Sequence, residues 1–187
     1  MPRGGIPVAI EAALKLRAPL DVITPRKITI PSNPEAGYGS VTEDGTIVLN
    51  EPLVRELGLS RPQIEKQAEL VRKEIAHRTA FFRSRLEPSS VDGRTAVIVD
   101  DGLASGFTML AAVKSLQKRR AAKTVVAVPV ASLRAYELMK PAVDDLVCLV
   151  ISHTLTFAVA SFYSHWYDLT DEDVSRYLDE WRIRQRD

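Results

Sequence analysis

Thr95-Ala96-Val97-Ile98-Val99-Asp100-Asp101-Gly102-Leu103-Ala104-Ser105-Gly106-Phe107-Thr108 is the stretch on which the reading of this chain turns. Its apolar run, residues 95–99, ends in two carboxylates. A short glycine-bounded loop then leads into an apolar-periodic segment over 109–116. The pattern predicts strand, loop and helix, with the loop at the carboxyl end of a strand, where open α/β sheets place their ligands. Gly102 and Gly106 allow a tight turn and a close approach of backbone to a ligand. Amides at a helix start point outward and favour an anion, so Ala104, Ser105, Gly106, Phe107 and Thr108 predict a phosphate cradle. Carboxylates beside such a cradle repel phosphate unless they bind hydroxyls or a hard divalent cation. A ribose monophosphate meets both demands, because its vicinal hydroxyls lie close to its phosphate.

Working outward, residues 124–130 read as a nearly continuous apolar strand, as a parallel sheet covered on both faces requires. Residues 132–140 read as a helix closed by Pro141, and 146–150 as the next strand. This alternation predicts an α/β fold with a doubly wound, mostly parallel sheet. Upstream, residues 8–16 have Ala and Leu at helical spacing after a turn over 1–7. Residues 21–24 predict a short strand, 28–30 an extended segment and 31–35 a loop. Residues 40–42 and 46–49 flank Glu43-Asp44-Gly45, which signals an antiparallel hairpin. Asn50 caps a short helix over 52–57 that stops at Gly58. Ser60-Arg61-Pro62-Gln63 is a capping-box signature ahead of a long inserted helix, with Ile64, Ala68, Val71, Ile75 and Phe82 as its apolar stripe. His77, near that helix's end, has no partner at metal-ligand spacing and reads as a surface or structural residue. A last helix is expected over 171–184. With no repeat and no low-complexity linker, residues 1–187 read as a single domain.

Composition narrows the function. The 187 residues are 45% hydrophobic and 26% charged, as in an ordinary globular protein. A net charge of +1 gives no support to a polyanion-binding surface, so nucleic acid is not an expected partner. One cysteine, Cys148, excludes an internal disulfide framework and a Cys-rich zinc site, and reads as a small core residue. No apolar run reaches the length of a membrane span and the N-terminus is no signal peptide, so a cytoplasmic protein is expected. Only 6% of residues are aromatic, yet residues 157–167 gather Phe157, Phe162, Tyr163, Trp166 and Tyr167. Such a cluster after a strand end suits stacking on a planar base.

Residues 99–108 resemble the phosphoribosyl-pyrophosphate motif of type I phosphoribosyltransferases: apolar strand, two acids, two variable residues, then small-Ser-Gly-x-Thr. The resemblance implies that Asp100 and Asp101 hold the ribose hydroxyls and a Mg²⁺ ion. It also implies that Ala104, Ser105, Gly106, Phe107 and Thr108 wrap the 5′-phosphate, with Gly102 also in the substrate site. Arg3-Gly4-Gly5 resembles the pyrophosphate loop of the same family, in the form found in xanthine-guanine enzymes. Arg3 is then expected to pair with pyrophosphate oxygens through its planar fork, with Gly4 and Gly5 beside it. Arg26 and Lys27 are the expected basic residues of a hood over the substrate. Phe157-Ala158-Val159-Ala160 resembles the purine-covering segment of hypoxanthine-guanine enzymes, with Phe157 at the stacking position and Val159 beside it.

Three departures accompany the resemblance. The family's first strand precedes the pyrophosphate loop and lies beside the acid-bearing strand, whereas this sequence opens at the loop, so an open strand edge is expected. Ala104 stands where purine enzymes carry an acid, and Ser164 where they carry a second metal-binding Asp. With no strand ahead of it, the Pro2-Arg3 bond is expected to be trans and mobile. The expected activity is transfer of ribose 5-phosphate from phosphoribosyl pyrophosphate to a nitrogen nucleophile, first a nucleobase, with release of pyrophosphate. The alternative is a non-catalytic phosphoribosyl-pyrophosphate or nucleotide sensor. The long helix is the expected seat of a homodimer contact.

Overall fold

The structure, a computed structural model, describes residues 1–30 and 33–185. Its centre is a parallel sheet of β4 (Thr95–Val99), β5 (Lys123–Ser132) and β6 (Asp145–Ser152), in that order. α4 (Phe107–Lys118) and α5 (Leu133–Met139) make the crossovers. Ile98, Met109, Val113, Val126, Val128 and Met139 form the core between sheet and helices. β6 is one end strand of that sheet: Leu149 stays 79% exposed, and Cys148, expected in the core, is only half-buried.

A second sheet is antiparallel, with β1 (Arg26–Ile30), β2 (Asn33–Val41) and β3 (Ile47–Leu49). The expected hairpin is its β2–β3 arm, pairing Val41 with Ile47. Of the loop expected over 31–35, the part from Asn33 onward belongs to β2 instead, with Asn33 opposite Ile30. Residues 31 and 32 lie outside the described residues. Irregular register near Ile28 and Thr29 lets the strand pair bend over the core of α3 (Arg61–Arg83). There Ile28, Tyr38, Val41, Ile64 and Ile75 pack together. Both cap signatures are present. Asn50 accepts from Leu53 N–H at 3.4 Å before α2 (Glu51–Glu56), and Ser60 N–H donates to Gln63 Oε1 at 2.8 Å before α3.

α1 (Gly5–Leu16) and α6 (Asp171–Arg184) close the remaining side around Ile6, Ile10, Phe82, Leu178 and Trp181. Among the described residues β4 pairs only with β5. Along its other edge runs a cavity of about 240 Å³, lined among others by Ala9, Ala13, Val22, Ala96 and Ile98. β4 is thus an end strand of the described parallel sheet. Among the described residues no helix is long and apolar enough to cross a membrane.

The expected strand over 21–24 does not form, and the segment is irregular. Its cause is Asp21, whose carboxylate accepts from Val22 N–H at 2.7 Å, from Ser89 N–H at 3.0 Å and from the Arg83 guanidinium. A side chain that satisfies local backbone donors competes with ladder formation. Asp21→Ala strips a charge-assisted acceptor from three donors and is expected to destabilise the protein by roughly 1.5–3 kcal/mol. Urea unfolding reads this as a lower midpoint at unchanged slope, and an unchanged midpoint would refute it.

Candidate active site

The site begins where β4 ends. Beyond Val99 the chain carries Asp100 and Asp101, and the glycine turn of residues 1–5 lies directly on them. A Cβ on Gly5 would sit 2.8 Å from Asp100 Cα and 3.0 Å from Val99 O. One on Gly4 would sit 1.8 Å from Asp101 Oδ2. At Gly5, where the neighbours are backbone, only glycine fits; at Gly4 a side chain would have to displace the Asp101 carboxylate. The Met1 amino nitrogen donates to Val99 O, and Ile6 N–H donates to Arg3 O at 3.1 Å, which anchors the turn. The Pro2–Arg3 bond is cis. The expectation of a trans, mobile bond is thus corrected, since it assumed a turn without anchorage.

Two carboxylates so enclosed are costly to ionise. Burial pushes the half-buried Asp100 up to about 7, with the Asp101 charge adding to it and the Met1 ammonium opposing. Asp101 is also raised, mainly by burial.

The turn that follows is tied to the sheet. Leu103 N–H donates to Val130 O and Ser132 N–H to Leu103 O, both at 2.9 Å, so the turn extends the parallel ladder by one bridge. Ser132 Oγ donates to Ala104 O at 2.7 Å while capping α5 through Ala135 N–H at 3.1 Å. Gly106, at φ +80°, turns the chain into α4. Helix α4 starts with no side-chain cap and no acid in its first turn. Its first amides are therefore left for an anion, beside exposed Ala104 and Ser105.

Two further segments close on the turn. From β2, the buried Ser40 hydroxyl lies 3.2 Å from Thr108 Oγ1. From the C-terminal side, Val159 packs on Gly102, where an added Cβ would meet its methyls at 2.8 Å. Tyr163 donates its hydroxyl to Asp101 O at 2.7 Å, and burial with the two carboxylates raises its pKa. Phe157 is half-buried against Phe162, with ring centroids 5.5 Å apart. Phe162 is 43% exposed and so is not a core anchor.

The structure thus joins Gly4, Gly5, Asp100, Asp101, Gly102, Thr108 and Val159 into one site. Arg3 lies 3.8 Å from Asp171, Arg26 pairs with Glu74 at 2.7 Å, and Lys27 is exposed on β1. Sequence reasoning missed Ser40, Ser132 and Tyr163, whose roles depend on partners 60 to 70 or about 30 positions away. Only the aromatic cluster around Tyr163 gave a signal.

A parallel sheet that ends in paired carboxylates under a glycine turn places the chain among α/β proteins that bind ligands at strand carboxyl ends. The particular family follows from the sequence match: residues 1–161 match the phosphoribosyl transferase domain, and the chain belongs to that family. It is similar to two Mycobacterium tuberculosis proteins, "Putative phosphoribosyl transferase MT0597" (strain CDC 1551 / Oshkosh) and "Putative phosphoribosyl transferase Rv0571c" (strain ATCC 25618 / H37Rv). Each is 37% identical over 179 residues, or 96% of this chain. The chain spans 40% of the length of these curated relatives. The crystal structure of TT1426 from Thermus thermophilus has the same fold, with a TM-score of 0.79 at 37% identity over 96% of this chain and 85% of that one.

The raised Asp100 fixes the sign of a pH effect. Its folded value of about 7 exceeds the ordinary 3.8, so stability from the neutral carboxyl is complete below about pH 4 and lost as pH rises to about 7. Asp100→Asn removes that loss. Its thermal midpoint should match that of the parent near pH 4 and exceed it by several degrees above pH 7. A difference that does not change with pH would contradict this.

Proposed function

We propose that the chain transfers ribose 5-phosphate from phosphoribosyl pyrophosphate to a nitrogen nucleophile, a nucleobase or another amine, and releases pyrophosphate. The observation that carries this reading is the glycine backbone stacked on the carboxylate pair beside an uncapped helix start. In this reading the amides of Ala104 to Thr108 hold the 5′-phosphate, and Asp100 and Asp101 hold the ribose hydroxyls. The bond from ribose C1 to the pyrophosphate oxygen breaks with its electron pair, the C1–N bond forms, and the nitrogen's proton passes to solvent. The developing cationic sugar needs neighbouring negative charge and exclusion of water rather than a covalent nucleophile. Arg3 steadies the leaving pyrophosphate, and Phe157 and Val159 cover the acceptor.

The donor set suits magnesium, which is typically held by one or two carboxylates and completes its shell with substrate oxygens. Asp100 and Asp101 supply such a pair. Among the described residues no group of three His, Cys, Asp or Glu offers an all-protein cage. An ion held by Asp100 and Asp101 would offset charge on the pyrophosphate.

The test is pyrophosphate release from phosphoribosyl pyrophosphate and Mg²⁺ against a panel of nucleobases and amines. Release matched by a glycosylated product is expected with at least one acceptor. Asp101→Asn should lose roughly 1.5–3 kcal/mol of donor affinity. Thr108→Val should lose less, because backbone amides carry much of the phosphate. Donor binding without release for any acceptor would instead favour the sensor, the reading to which Ala104 and Ser164 lend support. Unchanged donor affinity in Asp101→Asn would remove the ribose assignment.

A further inference from the structure

Residues 157–166 approach the acids from the C-terminal side and meet the turn that carries them at two points. A short 3₁₀ turn over Val159–Phe162 sets Val159 at its start and Tyr163 just past its end. Val159 packs on Gly102, and the Tyr163 hydroxyl donates to Asp101 O at 2.7 Å. Two side chains four positions apart thus land on adjacent residues. The backbone bonds of the segment stay inside it: Ser161 N–H donates to Ala158 O at 3.1 Å and Tyr163 N–H to Ala160 O at 3.2 Å. Among the described residues, the Tyr163 hydroxyl makes the one hydrogen bond that joins residues 157–166 to the rest of the chain.

Little else in this segment resists opening. Phe162 is 43% exposed and Trp166 42%, and a single 3₁₀ turn has poor hydrogen-bond geometry of its own. Few buried contacts and few hydrogen bonds mark the low end of local stability. The effect of the Tyr163 bond passes along the segment in both directions. Phe162, next to Tyr163, carries the Phe157 ring with centroids 5.5 Å apart, and Trp166 lies edge-on to the Tyr163 ring at 5.2 Å. Asp101 O, Tyr163, Phe162 and Phe157 form a chain from the acids to the aromatic face. A segment already ordered spares the ligand the cost of ordering it on binding, and that cost appears directly as lost affinity.

We infer that Tyr163 is a positioning residue for the acceptor: its hydroxyl, bound to Asp101 O, fixes Phe157 relative to the acids. This rests on the reading in which Asp100 and Asp101 hold the ribose and Phe157 covers the base. It adds a residue outside all three motif segments, one that acts through Asp101 and Phe162 rather than by touching the reacting atoms.

The test titrates ribose 5-phosphate, and separately adenosine, inosine and uridine 5′-monophosphates, each with magnesium chloride, into the parent chain and into Tyr163→Phe. Binding is read by calorimetry. The substitution removes the hydroxyl and keeps a ring against Trp166. At least one nucleotide should bind the parent more tightly than ribose 5-phosphate does. Tyr163→Phe should weaken that nucleotide about fivefold, the net worth of one hydrogen bond, and leave ribose 5-phosphate within about twofold. Trp166 supplies a second readout that needs no ligand. It is 42% exposed while Trp181, the other of two tryptophans, is 4% exposed, so collisional quenching by acrylamide reads Trp166. Quenching should be stronger in Tyr163→Phe than in the parent. Nucleotide affinity equal to the parent's would overturn the positioning role, as would equal losses for nucleotide and ribose 5-phosphate, which mark support of the acids alone. Unchanged quenching would overturn the tie between segment and acids. A parent that binds ribose 5-phosphate but no nucleotide more tightly overturns the acceptor role alone, and a parent that binds neither overturns the reading of the whole site.

Discussion

The contact of two glycines with two carboxylates is the constraint on which the rest of the structure depends. Gly5 has no room for a side chain because Asp100 Cα and Val99 O lie where a Cβ would go, and a side chain at Gly4 would have to displace the Asp101 carboxylate. This seats the start of α1 against the end of β4 and encloses both acids. The consequence is electrostatic as well as steric: burial, with the neighbouring Asp101 charge, pushes the Asp100 carboxyl up to about 7. A protein that keeps such a pair accepts a cost to its own stability, as binding sites commonly do. Hydroxyl groups or a divalent cation would relieve it.

Around that contact, distant parts of the chain are recruited one bond at a time. β5 holds the turn of residues 102–108 through Leu103 and Ser132, β2 reaches Thr108 through Ser40, and the C-terminal segment arrives with Val159 on Gly102 and Tyr163 on Asp101. The acids are thus held from the glycine turn and the aromatic segment at once, while the outer rim at Ala104 and Ser105 stays open. Phe157 and Phe162 lean on each other beside this rim, with ring centroids 5.5 Å apart.

Local chemistry was legible in the sequence wherever it determined the outcome. The strand–turn–helix of residues 95–118, the Asn50 cap, the Ser60–Gln63 box and the helix Asp171–Arg184 all rest on partners within a few residues. The glycines and acids of the site were legible for the same reason, since residue type and short spacing carry their chemistry. What failed to show was set by tertiary partners. Asp21 reads as the start of a strand until Arg83 and Ser89 are brought to it. Arg3 and Arg26 were identified by position in a motif, but their acidic partners, far off in the chain, could not be.

The central claim is that one ligand lies between the carboxylate pair and the turn of residues 102–108. A crystal structure of the protein grown with phosphoribosyl pyrophosphate and magnesium tests it most directly. Density is expected with the ribose hydroxyls on Asp100 and Asp101 and the 5′-phosphate on the amides at the start of α4. A ligand found elsewhere, for instance in the cavity along β4 with the carboxylates untouched, would contradict it.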